Sequence, residues 1–151
     1  MLAGGRIKIR PMHEDDLVGD VEWAGTEREG LADRYAKSQH DSSRRFFVIL
    51  NETGNRIGRI DYVEYRPTER RTQCNIHLGE RYTGQAYGTE ALQTFSRFLF
   101  ETLEIDAIGL MVNINNQRAI RCYEKCGYEI RGRFPEKEML VMVLDRCGQQ
   151  R

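Results

Sequence analysis

Across one short turn in the middle of this chain the hydrophobic period changes from two to 3.6. Residues 72–79 alternate, with Cys74, Ile76 and Leu78 on one side, as a half-buried strand does. Beyond Gly84-Gln85-Ala86-Tyr87-Gly88, the apolar residues Ala91, Leu92, Phe95, Phe98, Leu99 and Leu103 recur at helical spacing and predict an amphipathic helix over about 88–101. A further strand is expected over 106–113. A strand, a crossover helix and a second strand wind right-handedly, which makes the two strands parallel neighbours. The chain is thereby committed to a sheet with a helix packed across it.

The remaining segments fill out that sheet. Arg6-Ile7-Lys8-Ile9-Arg10 alternates and ends at Pro11, so it reads as a strand. The acidic run His13-Glu14-Asp15-Asp16 suits the start of a short helix ending near Trp23, and a polar helical stretch is expected over about 26–39. Residues 45–50 and 56–63 form a hairpin about the turn 51–55, and 66–70, with Pro67, make a second connection. A helix over 116–126 ends at Gly127, and strands over 128–131 and 139–144 close the chain. The expected architecture is a mixed α/β sheet.

With 151 residues, the whole span 1–151 is expected to be one domain. Lys plus Arg equals Asp plus Glu at 23 each, so no global field favours nucleic acid or an anionic membrane. No apolar run approaches the roughly 20 residues of a membrane span, and the start does not resemble a secretory signal, so a cytoplasmic location is expected. Cys74, Cys122, Cys126 and Cys147 form no Cys-x-x-Cys pair. Cys122 and Cys126 can share a helix face, and they are expected to be reduced structural thiols, with no metal bound.

The small residues Gly84, Ala86 and Gly88 let a bulky ligand approach the main chain where the long helix begins. The first turn of a helix leaves N–H groups unpaired, and its dipole favours negative charge there, so a pyrophosphate fits. No Gly-Lys-Ser/Thr follows, which excludes a Walker loop, and Ala86 breaks the dinucleotide fingerprint.

Two segments together, Tyr82-Thr83-Gly84-Gln85-Ala86-Tyr87-Gly88-Thr89-Glu90-Ala91 and Asn116 through Tyr128, resemble the GNAT superfamily of acetyltransferases, and especially its RimJ/RimL-like branch. The first resembles that family's pyrophosphate tract, with Thr83 in place of an Arg or Gln and Ala86 in place of a Gly. The second matches its Asn-x-x-Ala-Ile-x-x-Tyr-Glu-Lys-x-Gly-Tyr/Phe pattern. The resemblance implies a GNAT-like domain of six to seven strands with helices on both faces. It also implies acetyl-coenzyme A as cosubstrate.

Residue roles follow from the same resemblance. Leu78 ends the strand before the turn and pairs with the pantetheine arm, its N–H polarising the thioester carbonyl. Thr83, Gly84, Gln85, Ala86, Tyr87, Gly88 and Thr89 cradle the pyrophosphate, and Asn116 bonds the pantetheine. Tyr123 is the general acid for the departing thiolate, since a phenol of pKa about 10 stays protonated at neutral pH. A lysine-like amine, with pKa near 10.4, must lose a proton before attack. Glu80 is the leading catalytic candidate for that base, with Glu64, His77 or an ordered water as alternatives. Arg118, Arg121 and Lys125 are expected on a solvated helix face, and Trp23 in the core or the acceptor pocket.

The expected reaction moves an acetyl group to a primary amine on a protein N-terminus, polyamine, aminoglycoside or other small metabolite. A non-catalytic acyl-coenzyme A sensor and an ATP-binding protein are the competing readings. Exposed sheet edges leave a homodimer open.

Overall fold

The computed structural model describes residues 1–17 and 28–146. Its eight strands are β1 (Leu2–Gly4), β2 (Ile7–Pro11), β3 (Arg45–Leu50), β4 (Arg56–Arg66), β5 (Arg71–Leu78), β6 (Ala107–Asn113), β7 (Glu129–Phe134) and β8 (Met139–Asp145). They form one sheet in the order β1-β2-β3-β4-β5-β6-β8-β7. Every pairing is antiparallel except β5 with β6, the two strands that flank the long helix. Three α-helices accompany the sheet: α1 (Arg28–Ser38), α2 (Tyr87–Thr102) and α3 (Gln117–Lys125).

Strand β3 shows why the helices occupy both faces. Its run Phe46-Phe47-Val48-Ile49 is buried throughout rather than alternately, as a strand covered on two sides must be. Phe46 and Val48 pack with Leu31 of α1. Phe47 and Ile49 pack on the other side with Leu92, Phe95 and Leu99 of α2. Those three α2 side chains are fully buried, and each contributes roughly 1.5–3 kcal/mol relative to exposure. That total outweighs the roughly 1 kcal/mol a side-chain N-cap supplies, so α2 tolerates an N-terminus that Ala86 leaves without one.

Three expectations change in detail. Leu2–Gly4 adds an eighth strand, lying so close under α2 that a Cβ on Gly4 would meet the Thr94 hydroxyl. β4 runs three residues beyond the expected end at 63, through a register shift between Val63 and Arg66 where Glu64 takes φ 52°. The short helix after Pro11 is a 3-10 turn, Glu14–Leu17, with Asp16 at its centre. Both Asp16 oxygens accept from the Arg10 guanidinium at 2.8 Å, while the His13 N–H and Arg56 also donate to it. Burial alone would raise the Asp16 pKa, but these donors prevail and hold it at about 2. The expected continuation of that helix, Trp23 and Cys147 lie outside the described residues.

Candidate active site

Strands β5 and β6 pair only from Arg71 to Gln73 against Ala107 to Gly109. Beyond that point β6 continues along β8, while β5 runs on to Leu78 beside β4, and the two parallel strands separate. The gap opens into a groove of about 480 Å³, within the range of small-molecule sites. Its walls are the end of β5 (Ile76, Leu78), the turn before α2 and one face of α3.

The turn is built from unusual backbone. Gly84 has φ 75° and Ala86 φ 68°, both left-handed. Glycine takes that conformation freely, whereas an alanine there costs roughly 1–2 kcal/mol. Thr83 donates from N–H and hydroxyl to the Glu80 carbonyl, at 3.2 and 2.8 Å. The Gln85 amide donates to the Arg81 carbonyl at 2.8 Å. The turn's side chains thus brace its own base, and Gly88 and Thr89, in the uncapped first turn of α2, line the groove. A diphosphate fits this cradle, because neither a side-chain cap nor a bulky Cβ competes for those amides.

Most of the expected site residues meet here: Leu78, Thr83, Gly84, Gln85, Ala86, Gly88, Thr89, Asn116 and Tyr123 all line the groove. Two do not. The Tyr87 ring lies in the core, stacked under the Arg6 guanidinium at 4.2 Å, with its hydroxyl donating to Glu52. Only its main chain can take part. Glu80 starts a 3-10 turn, Glu80–Tyr82, exposed to solvent and outside the groove lining. The other base candidates do not line the groove either: Glu64 sits at the β4 irregularity, and His77 faces the α1 side beside Arg59. Arg118, Arg121 and Lys125 instead line the groove, so the basic face of α3 is part of the site.

On α3, Asn116 caps the helix by accepting from the Ala119 N–H at 3.2 Å, which leaves its amide N–H groups for a ligand. Burial raises the Tyr123 pKa, with neighbouring thiols adding to the effect, so the phenol stays neutral. Among the described residues no hydrogen bond holds the Tyr123 hydroxyl, whereas that of Tyr128 is tied to Ser96 at 2.9 Å. Cys122 also lines the groove, its sulfur 3.3 Å from the Thr89 hydroxyl. The Cys126 S–H donates to the Thr89 carbonyl at 3.7 Å, and this neighbouring thiol lowers the Cys122 pKa against the opposing effect of burial.

The other face of the sheet carries a second polar cluster. Asp61 on β4 is 3% exposed, opposite Asn75 of β5, and its Oδ1 has no hydrogen-bond partner among the described residues. Burial raises its pKa to about 6 despite Arg59, Asn75, Arg34 and Arg44 nearby.

A model of the family described as the acetyltransferase (GNAT) domain matches residues 6–129. The spermidine N(1)-acetyltransferase of Escherichia coli (strain K12) is 29% identical over 145 residues, covering 87% of this chain and 77% of that protein. An aminoglycoside N(6')-acetyltransferase type 1 of Klebsiella pneumoniae is 34% identical over 70 residues, covering 45% of this chain and 35% of that protein. In three dimensions, the Vibrio cholerae spermidine N-acetyltransferase solved with CoA and spermine superposes with a TM-score of 0.83 at 19% identity. That match covers 97% of this chain and 99% of the other, and it shows the shared fold.

Proposed function

Because the chain belongs to the GNAT acetyltransferase family, we propose that it carries an acetyl group from acetyl-coenzyme A in the α2 groove to a primary amine of a polyamine. It is an acetyl-coenzyme A-dependent N-acetyltransferase, and the polyamine names the acceptor. The observation that carries the choice of donor is the uncapped head of α2, opening beside the gap between β5 and β6. The polyamine acceptor is favoured by the length of the match to the Escherichia coli enzyme, which is about twice that to the aminoglycoside enzyme. The motifs of the α2 turn and of α3 also keep the RimJ/RimL-like branch in view, and with it a protein N-terminus as acceptor.

In this reading the main-chain amides of Gly84 to Thr89 hold the pyrophosphate, with Arg118, Arg121 and Lys125 adding charge. The free edge of β5 pairs with the pantetheine arm, and the Leu78 N–H polarises the thioester carbonyl. The amine attacks that carbonyl carbon as the C–S bond breaks, and the neutral Tyr123 phenol gives its proton to the leaving thiolate. Holding both reactants in one ternary complex removes much of the entropic barrier. The Glu80 carboxylate is exposed and outside the groove lining, so an ordered water is preferred as the base.

A second reading is favoured by one observation: Asp61 is surrounded by the guanidiniums of Arg59, Arg34 and Arg44. That cluster suits an acceptor bearing a carboxylate beside its amine better than a polycation. Free thiol released from acetyl-coenzyme A separates the two. Spermidine should give a kcat/KM at least about tenfold above amino acids, peptide N-termini and aminoglycosides. Preference for a carboxylate-bearing amine selects the second reading, and no release with any amine sinks both.

The protein is proposed to act in the cytoplasm. No described helix is long and apolar enough to cross a membrane. A homodimer is proposed through the outer face of β6, β8 and β7, where Met111 and Phe134 are 42% and 47% exposed on the side that carries Val141.

A further inference from the structure

Arg6 stands near the start of the chain and outside the groove lining, yet its side chain holds the turn that leads into α2. We propose that Arg6 is a positioning residue for the coenzyme: its guanidinium fixes the Gln85–Ala86 peptide so that the Ala86 N–H is presented to the pyrophosphate. This role rests on the coenzyme site proposed above and deepens it.

The β1–β2 hairpin carries Arg6 to that place. Its two-residue tip, Gly5-Arg6, follows the pair Gly4 and Ile7. Gly5 takes φ 60°, and a Cβ there would stand 2.7 Å from a Glu90 carboxylate oxygen. A larger residue at the tip would therefore displace the very carboxylate that Arg6 holds. From this tip the guanidinium makes three contacts. Its Nε donates to both Glu90 oxygens at 3.3 Å. Its Nη2 donates to the Gln85 carbonyl. Its central carbon lies 4.2 Å from the centre of the Tyr87 ring, whose hydroxyl is in turn tied to Glu52 in the β3–β4 turn.

Peptide geometry converts those contacts into a function. The C=O and N–H of one trans peptide point in opposite directions. With the Gln85 carbonyl held on the Arg6 side, the Ala86 N–H points away from Arg6. At about 100° per residue, Tyr87 and Glu90 share the face of α2 turned to the hairpin, and Gly88 and Thr89 face about the opposite way. Gly88 and Thr89 line the groove, as do Gln85 and Ala86, so the N–H of that peptide is on the groove side. The turn needs such a hold. Ala86 sits at φ 68°, a conformation that a non-glycine residue keeps only when its surroundings impose it. No side chain caps α2, and the Arg6 bond reaches this peptide from outside the turn. Arg6 also offsets the Glu90 carboxylate, which would otherwise oppose an anionic ligand at the same helix head. Ion pairs as exposed as this one, at 41% and 27%, contribute little to folding. Loss of Arg6 should therefore be felt at the cradle rather than in stability.

Calorimetric titration of coenzyme A, with thiol release for kcat and KM, tests this in Arg6→Met, which keeps an unbranched stem over Tyr87 and removes the donors. Coenzyme A should bind at least about tenfold more weakly and the KM for acetyl-coenzyme A should rise in step, while kcat changes by less than about threefold. The melting temperature should stay within about 4 °C of the parent. Arg6→Lys keeps the charge without the planar fork and should still lose at least about fivefold in affinity. The decisive arm is Ala86→Gly, because glycine takes the left-handed conformation without support. It should improve coenzyme binding in Arg6→Met by a factor at least about fivefold larger than in the parent. Equal factors in the two backgrounds, or an Arg6→Lys protein that binds as the parent does, overturns the assignment. A parent that binds coenzyme A while Arg6→Met binds it equally well sinks Arg6 alone. A parent that binds none sinks the coenzyme site, and this role with it.

Discussion

Replacing Tyr123 by Phe removes one oxygen and separates catalysis from folding. Because no hydrogen bond among the described residues holds that hydroxyl, its loss forfeits none of the roughly 0.5–1.5 kcal/mol such a bond contributes. The ring remains packed beside Tyr128, centroids 6.5 Å apart. The melting temperature should therefore stay within about 2 °C of the parent. Activity should not. A positioned general acid is worth about 10²- to 10⁴-fold, or about 3–5 kcal/mol of barrier, and the phenol is the proton donor the account assigns to the leaving thiolate. Because burial raises the Tyr123 pKa, kcat in the parent should show no alkaline decline from this group up to about pH 10. The assay is thiol release under saturating acetyl-coenzyme A, with circular dichroism on the same samples. Tyr128→Phe is the control with the opposite signature: it leaves the fully buried Ser96 hydroxyl unpaired, costs about 1–3 kcal/mol of stability and spares the chemistry. If Tyr123→Phe keeps kcat within threefold of the parent, the phenol is not the acid.

Three further outcomes follow from the same structure. Asp16, with a folded pKa of about 2 against an ordinary 3.8, contributes about 2 kcal/mol that is complete above pH 4 and lost as pH falls toward 2. Urea titrations of the parent and of Asp16→Asn should accordingly diverge at pH 7 and converge near pH 2. In Gly58→Ala the new methyl would stand 2.4 Å from the His77 carbonyl oxygen, which is backbone and cannot yield, so thermal unfolding should report a loss of about 3 kcal/mol or more. Arg118→Ala should weaken coenzyme binding about tenfold in low salt and by less in high salt, as read by calorimetry, if that side chain meets phosphate as its place in the groove lining suggests.

The parts of the fold legible in the sequence are those that one local period determines. The apolar stripe gives the bounds of α2 to within one residue at each end, and the parallel neighbours follow from the crossover rule. β1 escaped because three residues show no period. The irregularity at Glu64 escaped because a left-handed residue in a strand has no local signal unless it is glycine. At the site, the small-residue turn and the Asn116 motif were legible because they are contiguous. The Tyr87 ring is in the core because its position four residues before Ala91 places it on the buried stripe of α2, which leaves only its main chain for a ligand. That Cys122 meets the Thr89 hydroxyl is not legible, because spacing along α3 carries no trace of a residue on another helix. The base was not legible for the same reason: a group that reaches the amine across the sheet is placed by tertiary structure, and neither Glu80, Glu64 nor His77 lines the groove.

Titration of coenzyme A into the parent and into Gly88→Asp tests the central claim, that bare amides at the head of α2 hold a diphosphate. The substitution fits sterically, since a Cβ there meets only ordinary contacts of 3.4 and 3.6 Å, and an acidic residue in the first turn favours the helix. Its charge nevertheless stands where the phosphates would lie. The account predicts micromolar binding by the parent and at least about a hundredfold loss, about 3 kcal/mol, in a variant that remains folded. A parent that takes up no coenzyme, or a folded Gly88→Asp that binds it equally well, would contradict it.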